Sequence, residues 1–167
     1  MGFIFHDGNY KTSPCRGSLE RGSFCRGVRV IQQILFHPAR RLDLAQLVAI
    51  QKPMHAPSHL ARYVLDAKTL VQLMANTDAG VFVASHAGTV VGLCVHKGGM
   101  LPEIICLYVK QKYRNKQVGT RLLQAASTSM AVSGYQQFGI RVFLEAAAVP
   151  FMQYLGRLGA VATSEED

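Results

Sequence analysis

No apolar run in this chain approaches the ~18 residues needed to cross a bilayer, because His, Lys, Ser or Gly interrupts every candidate stretch. A soluble protein is the expectation. Met1 to His6 offers no long apolar signal core with a cleavage site, and the myristoylation pattern that begins Met-Gly fails at His6, where Ser or Thr is wanted. The cytoplasm is therefore the expected compartment. Cysteine is sparse: Cys15, Cys25, Cys94 and Cys106 include no CxxC pair. That spacing favours two free thiols in buried strands and two in the N-terminal arm over a zinc site or a disulfide framework. Internal repeats and a second domain boundary are also missing.

Acids are the other shortage, with 10 Asp or Glu against 18 Lys or Arg and a formal net charge of +8. The excess is uneven: Met1 to Arg41 holds seven Lys or Arg against two acids, and the remainder eleven against eight. Residues 1–27, rich in Gly, Ser, Arg and Cys, read as a basic extension, and 28–167 as one domain. Such an arm can touch nucleic acid or an acidic surface, but a solvated leader is the favoured reading. The 49% hydrophobic and 17% charged residues of this 167-residue chain fit a single globular core.

Periodicity divides that domain into elements. Val28 to Phe36 reads as a strand ended by Pro38. Leu44, Leu47 and Val48 mark a helix over Leu42 to Ile50, followed by Pro53 and Pro57. Ser58 is placed to cap a second helix, His59 to Met74, with Leu60, Val64, Ala67, Val71 and Met74 on one face. Strands Val81 to Ser85 and Thr89 to His96 flank the short turn His86-Ala87-Gly88, and a third strand over Ile104 to Val109 completes a meander. A helix from Val118 carries Leu122, Leu123, Ala126 and Met130. A strand over Ile140 to Leu144 follows, expected to pair in parallel with the third meander strand. Pro150 opens a last helix with Phe151, Tyr154, Leu155 and Leu158 on one face and Gly159 as its stop.

The stretch Leu101 to Ser133 is the one with chemistry in it. An apolar strand runs into a turn where Lys110, Lys112, Arg114, Lys116 and Arg121 stand without an acid among them, beside Gly119, and the turn opens the long helix. Unpaired N–H groups, the positive end of a helix dipole and nearby cations all favour a phosphate.

The order strand, two helices, three-strand meander, helix, strand, helix, with this turn after the third meander strand, resembles the GNAT superfamily of acetyl-CoA-dependent N-acetyltransferases. Arg114-Asn115-Lys116-Gln117-Val118-Gly119 is similar to the family's phosphate-binding signature, with Gln117 where its first Gly is expected. The resemblance implies an α/β (α+β) fold, a mixed central sheet flanked by helices, with acetyl-CoA as cofactor. It places the pyrophosphate on the N–H cluster of Arg114 to Thr120, through Lys116, Gln117 and Val118, and the pantetheine arm along the main chain of Leu107, Tyr108 and Val109. At Gln117 an inward N–H requires a negative φ.

Transfer of acetyl to an amine by direct attack needs a base for the ammonium and an acid for the thiolate. By the same resemblance Glu103, six residues before Val109, is the candidate base, and burial at the strand rim would raise its pKa. The family's acid tyrosine falls on Leu155; Tyr154 is one residue off, about 100° around the helix, and is the candidate acid. His96 is a further base candidate weighed against a structural role. His55 and His59 straddle Pro57 without an acid, so no metal is implied.

Members of the family usually continue with further strands after the last helix, whereas here one short strand fits. Either the sheet lacks its last strand, or a partner chain or the N-terminal arm supplies it, and a homodimer is the expectation. The acceptor is expected to be a primary amine on a small molecule or peptide. An inactive acyl-CoA-binding module and an acetyltransferase for an RNA-linked amine stay open.

Overall fold

The computed structural model describes residues 2–6, 33–51, 64–141, 148–157 and 161–163. Its strands are β1 (Gly2–His6), β2 (Leu35–Pro38), β3 (Ala79–His86), β4 (Thr89–Lys97), β5 (Glu103–Val109), β6 (Gln137–Arg141) and β7 (Val161–Thr163). Its helices are α1 (Leu44–Ile50), α2 (Ala67–Ala75), α3 (Val118–Val132) and α4 (Ala148–Arg157). One mixed sheet takes all seven strands in the order β2-β3-β4-β5-β6-β1-β7.

The meander is as expected: β3 pairs antiparallel with β4, and β4 with β5. The crossover through α3 makes β6 parallel to β5. β4 lies at the centre, with Val90 to His96 all buried, as a strand covered on both faces must be. On one face, Val118, Leu122, Leu123, Ala126 and Met130 of α3 and Leu155 of α4 pack on Val91, Cys94 and Ile104. On the other, Leu47 and Ile50 of α1 and Leu70 of α2 pack on Val83, Leu93, Val95 and Cys106. The helical stripe expected for α3 is the buried one in full.

Several boundaries differ from expectation. α2 starts at an Asp66 cap, whose carboxylate accepts from Thr69 N at 2.7 Å, while Ser58 and the segment 52–63 lie outside the described residues. Its buried side is Leu70, with Leu73 and Met74 half-buried and Ala67 exposed; the larger leucines remove more apolar area from water. β2 begins at Leu35, and the expected start at Val28 lies outside the described residues. β6 begins at Gln137, earlier than Ile140, because pairing to β1 and β5 supplies what its Gly-rich sequence does not. Phe151's side chain, Leu158 and Gly159 are outside the described residues.

The place next to β6 is filled from within the chain. β1 inserts between β6 and β7, antiparallel to both, with Gly2↔Arg141 to His6↔Gln137 on one side and Gly2↔Thr163 to Ile4↔Val161 on the other. The N-terminal residues thus supply the strand that the short C-terminal end does not. Among the described residues no helix is long and apolar enough to cross a membrane.

Candidate active site

β5 has two unlike sides. Toward β4 it pairs from Lys97↔Glu103 to Gly92↔Val109, whereas toward β6 pairing is confined to Glu103↔Gly139 and Ile104↔Ile140. Described pairing to β6 reaches Ile104, and residues 142–147, which follow β6, lie outside the described residues. The β4 side carries a bulge: Val95 faces Cys106 and His96 faces Ile104, leaving Ile105 as the extra residue. A bulge bends the strand that carries it and re-aims its side chains. Ile105 and Cys106 both turn to the α1/α2 face, and Leu107 and Val109 return to the α3 face.

Past Val109 the chain folds back on itself. Lys110 N donates to Val91 O at 2.9 Å, a short 3-10 turn covers Gln111–Tyr113, and Arg114 Nε donates to Val109 O at 3.0 Å. Asn115 and Gln117 are then left-handed, at φ 59° and 60°. This corrects the expectation of a negative φ at Gln117: the position is left-handed, in a region that glycine adopts freely, at φ 60° and ψ 9°. Asn tolerates that region well and Gln less so. The first backbone bond of α3 is donated by Arg121 N to Gln117 O at 3.0 Å. The N–H groups of Val118, Gly119 and Thr120 precede it and lack an intrahelical acceptor.

Two glycines set how close this helix end comes to its surroundings. A Cβ on Gly92 of β4 would meet Leu122 Cδ1 at 2.9 Å and Val118 Cγ1 at 3.2 Å, so the bare backbone there lets the first turns of α3 lie against the sheet. A Cβ on Gly119 would be 3.6 Å from Tyr154 Oη and 3.8 Å from Val109 Cγ2. The end of β5, the start of α3 and the Tyr154 phenol therefore meet at one place. Gly92 is a residue the sequence reading passed over, although a glycine inside an apolar strand is a signal of close approach.

Tyr154 is half-buried, and its hydroxyl shares a hydrogen bond of 2.9 Å with Thr120 Oγ1. Leu155 is the residue that faces inward, fully buried in the α3/α4 core. The offset of about 100° from Leu155 brings Tyr154 to the first turn of α3, because Leu155 takes the core position.

Glu103 lies at the other end of β5, and Lys97 Nζ sits 2.8 Å from its Oε1 with the carboxylate side chain 24% exposed. Its Oε2 makes no hydrogen bond among the described residues, and the paired backbone around it fixes its place at the strand entrance. His96 is 2% exposed, stacked on Phe82 at 5.9 Å, and neither ring nitrogen finds a hydrogen-bond partner. It lies on the α3 face of β4, opposite Gly80 and Ile104. Burial lowers its pKa, against a smaller raising pull from Asp78. The Cys94 and Cys106 thiols are free and buried; burial pushes Cys94 well up, helped by Cys106, and Cys106 up to about 12. Neither is a nucleophile near neutral pH. Cys15, Cys25, His55 and His59 lie outside the described residues, among which no cluster suited to a metal occurs.

The cations of the turn have distinct neighbours. Lys112 and Lys116 place Nζ 5.1 and 5.7 Å from the Tyr113 ring centre, and Arg121 lies over Phe36 at 5.4 Å. Free amides at the start of a 15-residue helix, a left-handed entry and surrounding positive charge suit a pyrophosphate. The main chain at the end of β5, which leads into the turn, suits an extended chain with amide groups. Both requirements are those of coenzyme A.

A mixed sheet whose strand β5 runs through a basic turn into the free helix end of α3 is an arrangement suited to an acyl-CoA-dependent transferase. The family model of the acetyltransferase (GNAT) domain matches residues 77–156, from just before β3 into the last turn of α4, and that segment is similar to this domain. Comparison with curated protein sequences gives no match. Among solved structures, the chain is similar to the PaiA N-acetyltransferase of Thermoplasma acidophilum in complex with coenzyme A, at 18% identity and a TM-score of 0.62, over 75% of this chain and 88% of that one. It is similar to the aminoglycoside 6'-N-acetyltransferase AAC(6')-Ig of Acinetobacter haemolyticus at 15% identity and a TM-score of 0.64, over 80% and 94%. A third likeness is to AAC(6')-Iy in complex with a bisubstrate analogue, at 13% identity and a TM-score of 0.63, over 81% and 95%.

Proposed function

We propose that the chain transfers the acetyl group of acetyl-CoA to a primary amine of a small molecule or peptide by direct attack. The observation that carries this is the turn after β5, whose left-handed Gln117 leads into α3 with the N–H groups of Val118, Gly119 and Thr120 ahead of its first intrahelical bond. The N–H groups of Val118, Gly119 and Thr120 bind the pyrophosphate, with Arg114, Asn115, Lys116 and Gln117 shaping the turn. The main chain of Leu107, Tyr108 and Val109 orients the pantetheine arm. When bound, the cofactor supplies an activated thioester. Glu103 accepts the ammonium proton at Oε2 while Lys97 holds Oε1, and Tyr154 presents its hydroxyl proton at the first turn of α3.

A small-molecule acceptor is favoured by the aminoglycoside acetyltransferases among the similar structures. Titration of acetyl-CoA followed by thiol release across a panel of aminoglycosides, polyamines and peptides tests the reading. Glu103→Gln is expected to lower kcat by about 10²–10⁴-fold while leaving acetyl-CoA affinity unchanged. Tight binding with no turnover on any amine would establish the inactive binding module instead. A salt-sensitive RNA affinity would favour the RNA-linked acceptor. The cytoplasm is the proposed compartment, and a homodimer is proposed to form through the outer edge of β7, the end of the sheet; a monomer by light scattering at micromolar concentration would refute it.

A further inference from the structure

The loop from β4 to β5, residues 98–102, leads straight to Glu103 and has little of its own to hold it. Gly98 and Gly99 bring no side chain, Gly99 stands at φ 113°, and Met100 and Leu101 are exposed. Its bonds come from other segments. Gly98 N donates to Asp78 O at 2.6 Å, Gly99 N to Tyr135 Oη at 2.8 Å, and Pro102 O accepts from Gly139 N at 2.9 Å. The Tyr135 hydroxyl donates in turn to the Asp78 carboxylate, 2.8 and 2.7 Å from its two oxygens. One phenol therefore joins the entrance of β3, the loop and the turn from α3 to β6. A Cβ on Gly98 would run into the Asp78 carboxylate, so the bare glycine is what lets the loop close on this pair.

Tyr135 is itself firmly held. Its N–H donates to Met130 O at 3.0 Å and that of Gly134, at φ 91°, to Ala131 O at 2.9 Å, the pair of bonds that closes a helix through a left-handed glycine. The loop it grips has the two halves of one ion pair at its ends. Lys97, whose Nζ lies 2.8 Å from Glu103 Oε1, immediately precedes Gly98, and Glu103 immediately follows Pro102. Without the bonds from Asp78 and Tyr135, a loop of glycines and exposed side chains has few contacts to stop it opening, and the ion pair shifts with it. We infer that Tyr135, bonded to Asp78, is a positioning residue for acetyl transfer: it fixes the loop so that Lys97 and Glu103 keep the geometry in which Oε2 receives the acceptor's proton. The inference rests on the reading of Glu103 as the base. It brings in residues at the end of α3 remote from the phosphate turn, about 22 Å away along a helix of 15 residues.

The test is steady-state kinetics of the full chain on the best acceptor of the amine panel, for wild type, Tyr135→Phe, Glu103→Gln and the double variant, with calorimetric titration of coenzyme A into each. Tyr135→Phe is expected to lower kcat about 10–10²-fold, the scale of a small misplacement of a reacting group. Its coenzyme A affinity should stay within about twofold of wild type, which also reports that the variant is folded. In the Glu103→Gln background the same change should lower kcat by less than about twofold more, because residues acting through one group are not additive. An unchanged kcat in Tyr135→Phe, or an equal loss with and without Glu103, would overturn this inference and leave a slow Glu103→Gln as support for the base. A loss of coenzyme A affinity matching the loss in kcat would mark a structural role and overturn it too. Asp78→Ala, which removes the acceptor of the hydroxyl, carries the same expectations and decides the question if Tyr135→Phe does not fold. A Glu103→Gln variant as fast as wild type, or no turnover on any amine, would overturn both readings.

Discussion

Gln117 holds a left-handed backbone at the entrance of α3, which costs a residue with a Cβ about 1–2 kcal/mol. Glycine would remove that strain while adding about 0.5–1 kcal/mol of backbone entropy to the unfolded chain. Gln117→Gly is therefore expected to stabilise the fold by about 0.5–1 kcal/mol, seen as a small rise in Tm, without weakening acetyl-CoA binding. His96 gives a second expectation at this scale. Burial holds its folded pKa below the ordinary value, opposed in part by Asp78, whose carboxylate is bound by the Tyr135 hydroxyl at 2.7 and 2.8 Å. The unfolded chain then binds the proton more tightly, so stability is full above ~6.5 and is lost as pH falls from there toward the lowered folded value. Denaturant midpoints should drop between pH 7 and that value, and His96→Leu should flatten this limb. The carboxylates Asp43 and Asp66, whose pKa values are lowered, act only at lower pH.

At the scale of elements, the position of α3 on β4 depends on Gly92. A methyl group there meets Leu122 and Val118 inside a full core, and overpacking of this kind costs about 1–3 kcal/mol. Gly92→Ala should lower Tm and weaken acetyl-CoA binding together, because it displaces the helix end that carries the free amides; a loss of stability with unchanged affinity would argue against that link. The elements legible in the sequence were those with strong local period. α3 showed its full apolar stripe, β4 and β5 their apolar runs, and the parallel β5/β6 pairing followed from the intervening helix. The bulge at Ile105 and the left-handed Gln117 were not legible, because an apolar run and a glutamine carry no mark of either. The direction of Tyr154 is decided by Leu155 filling the core, a tertiary fact that residue spacing does not carry.

For the whole molecule, β1 is the element that local reasoning could not place in the sheet. Five residues have no period long enough to announce a strand, and their partners lie at 137–141 and 161–163. Removal of residues 1–6 would leave β6 without its neighbour on one side and β7 without its partner among the described strands. The truncated chain is expected to melt at a lower temperature and to aggregate more readily through the bare edge of β6, measured by thermal scan and light scattering.

The same insertion has a consequence for the birth of the protein. Synthesis runs from the N-terminus, so β1 emerges from the ribosome before the other described strands, yet the two that flank it are the last of these to appear. The nascent chain can assemble the meander of β3, β4 and β5 from neighbours in sequence, but the sheet cannot close until translation has passed Thr163. During that interval Gly2–His6, with its Phe3-Ile4-Phe5 run, waits without a partner, a segment for a chaperone to cover.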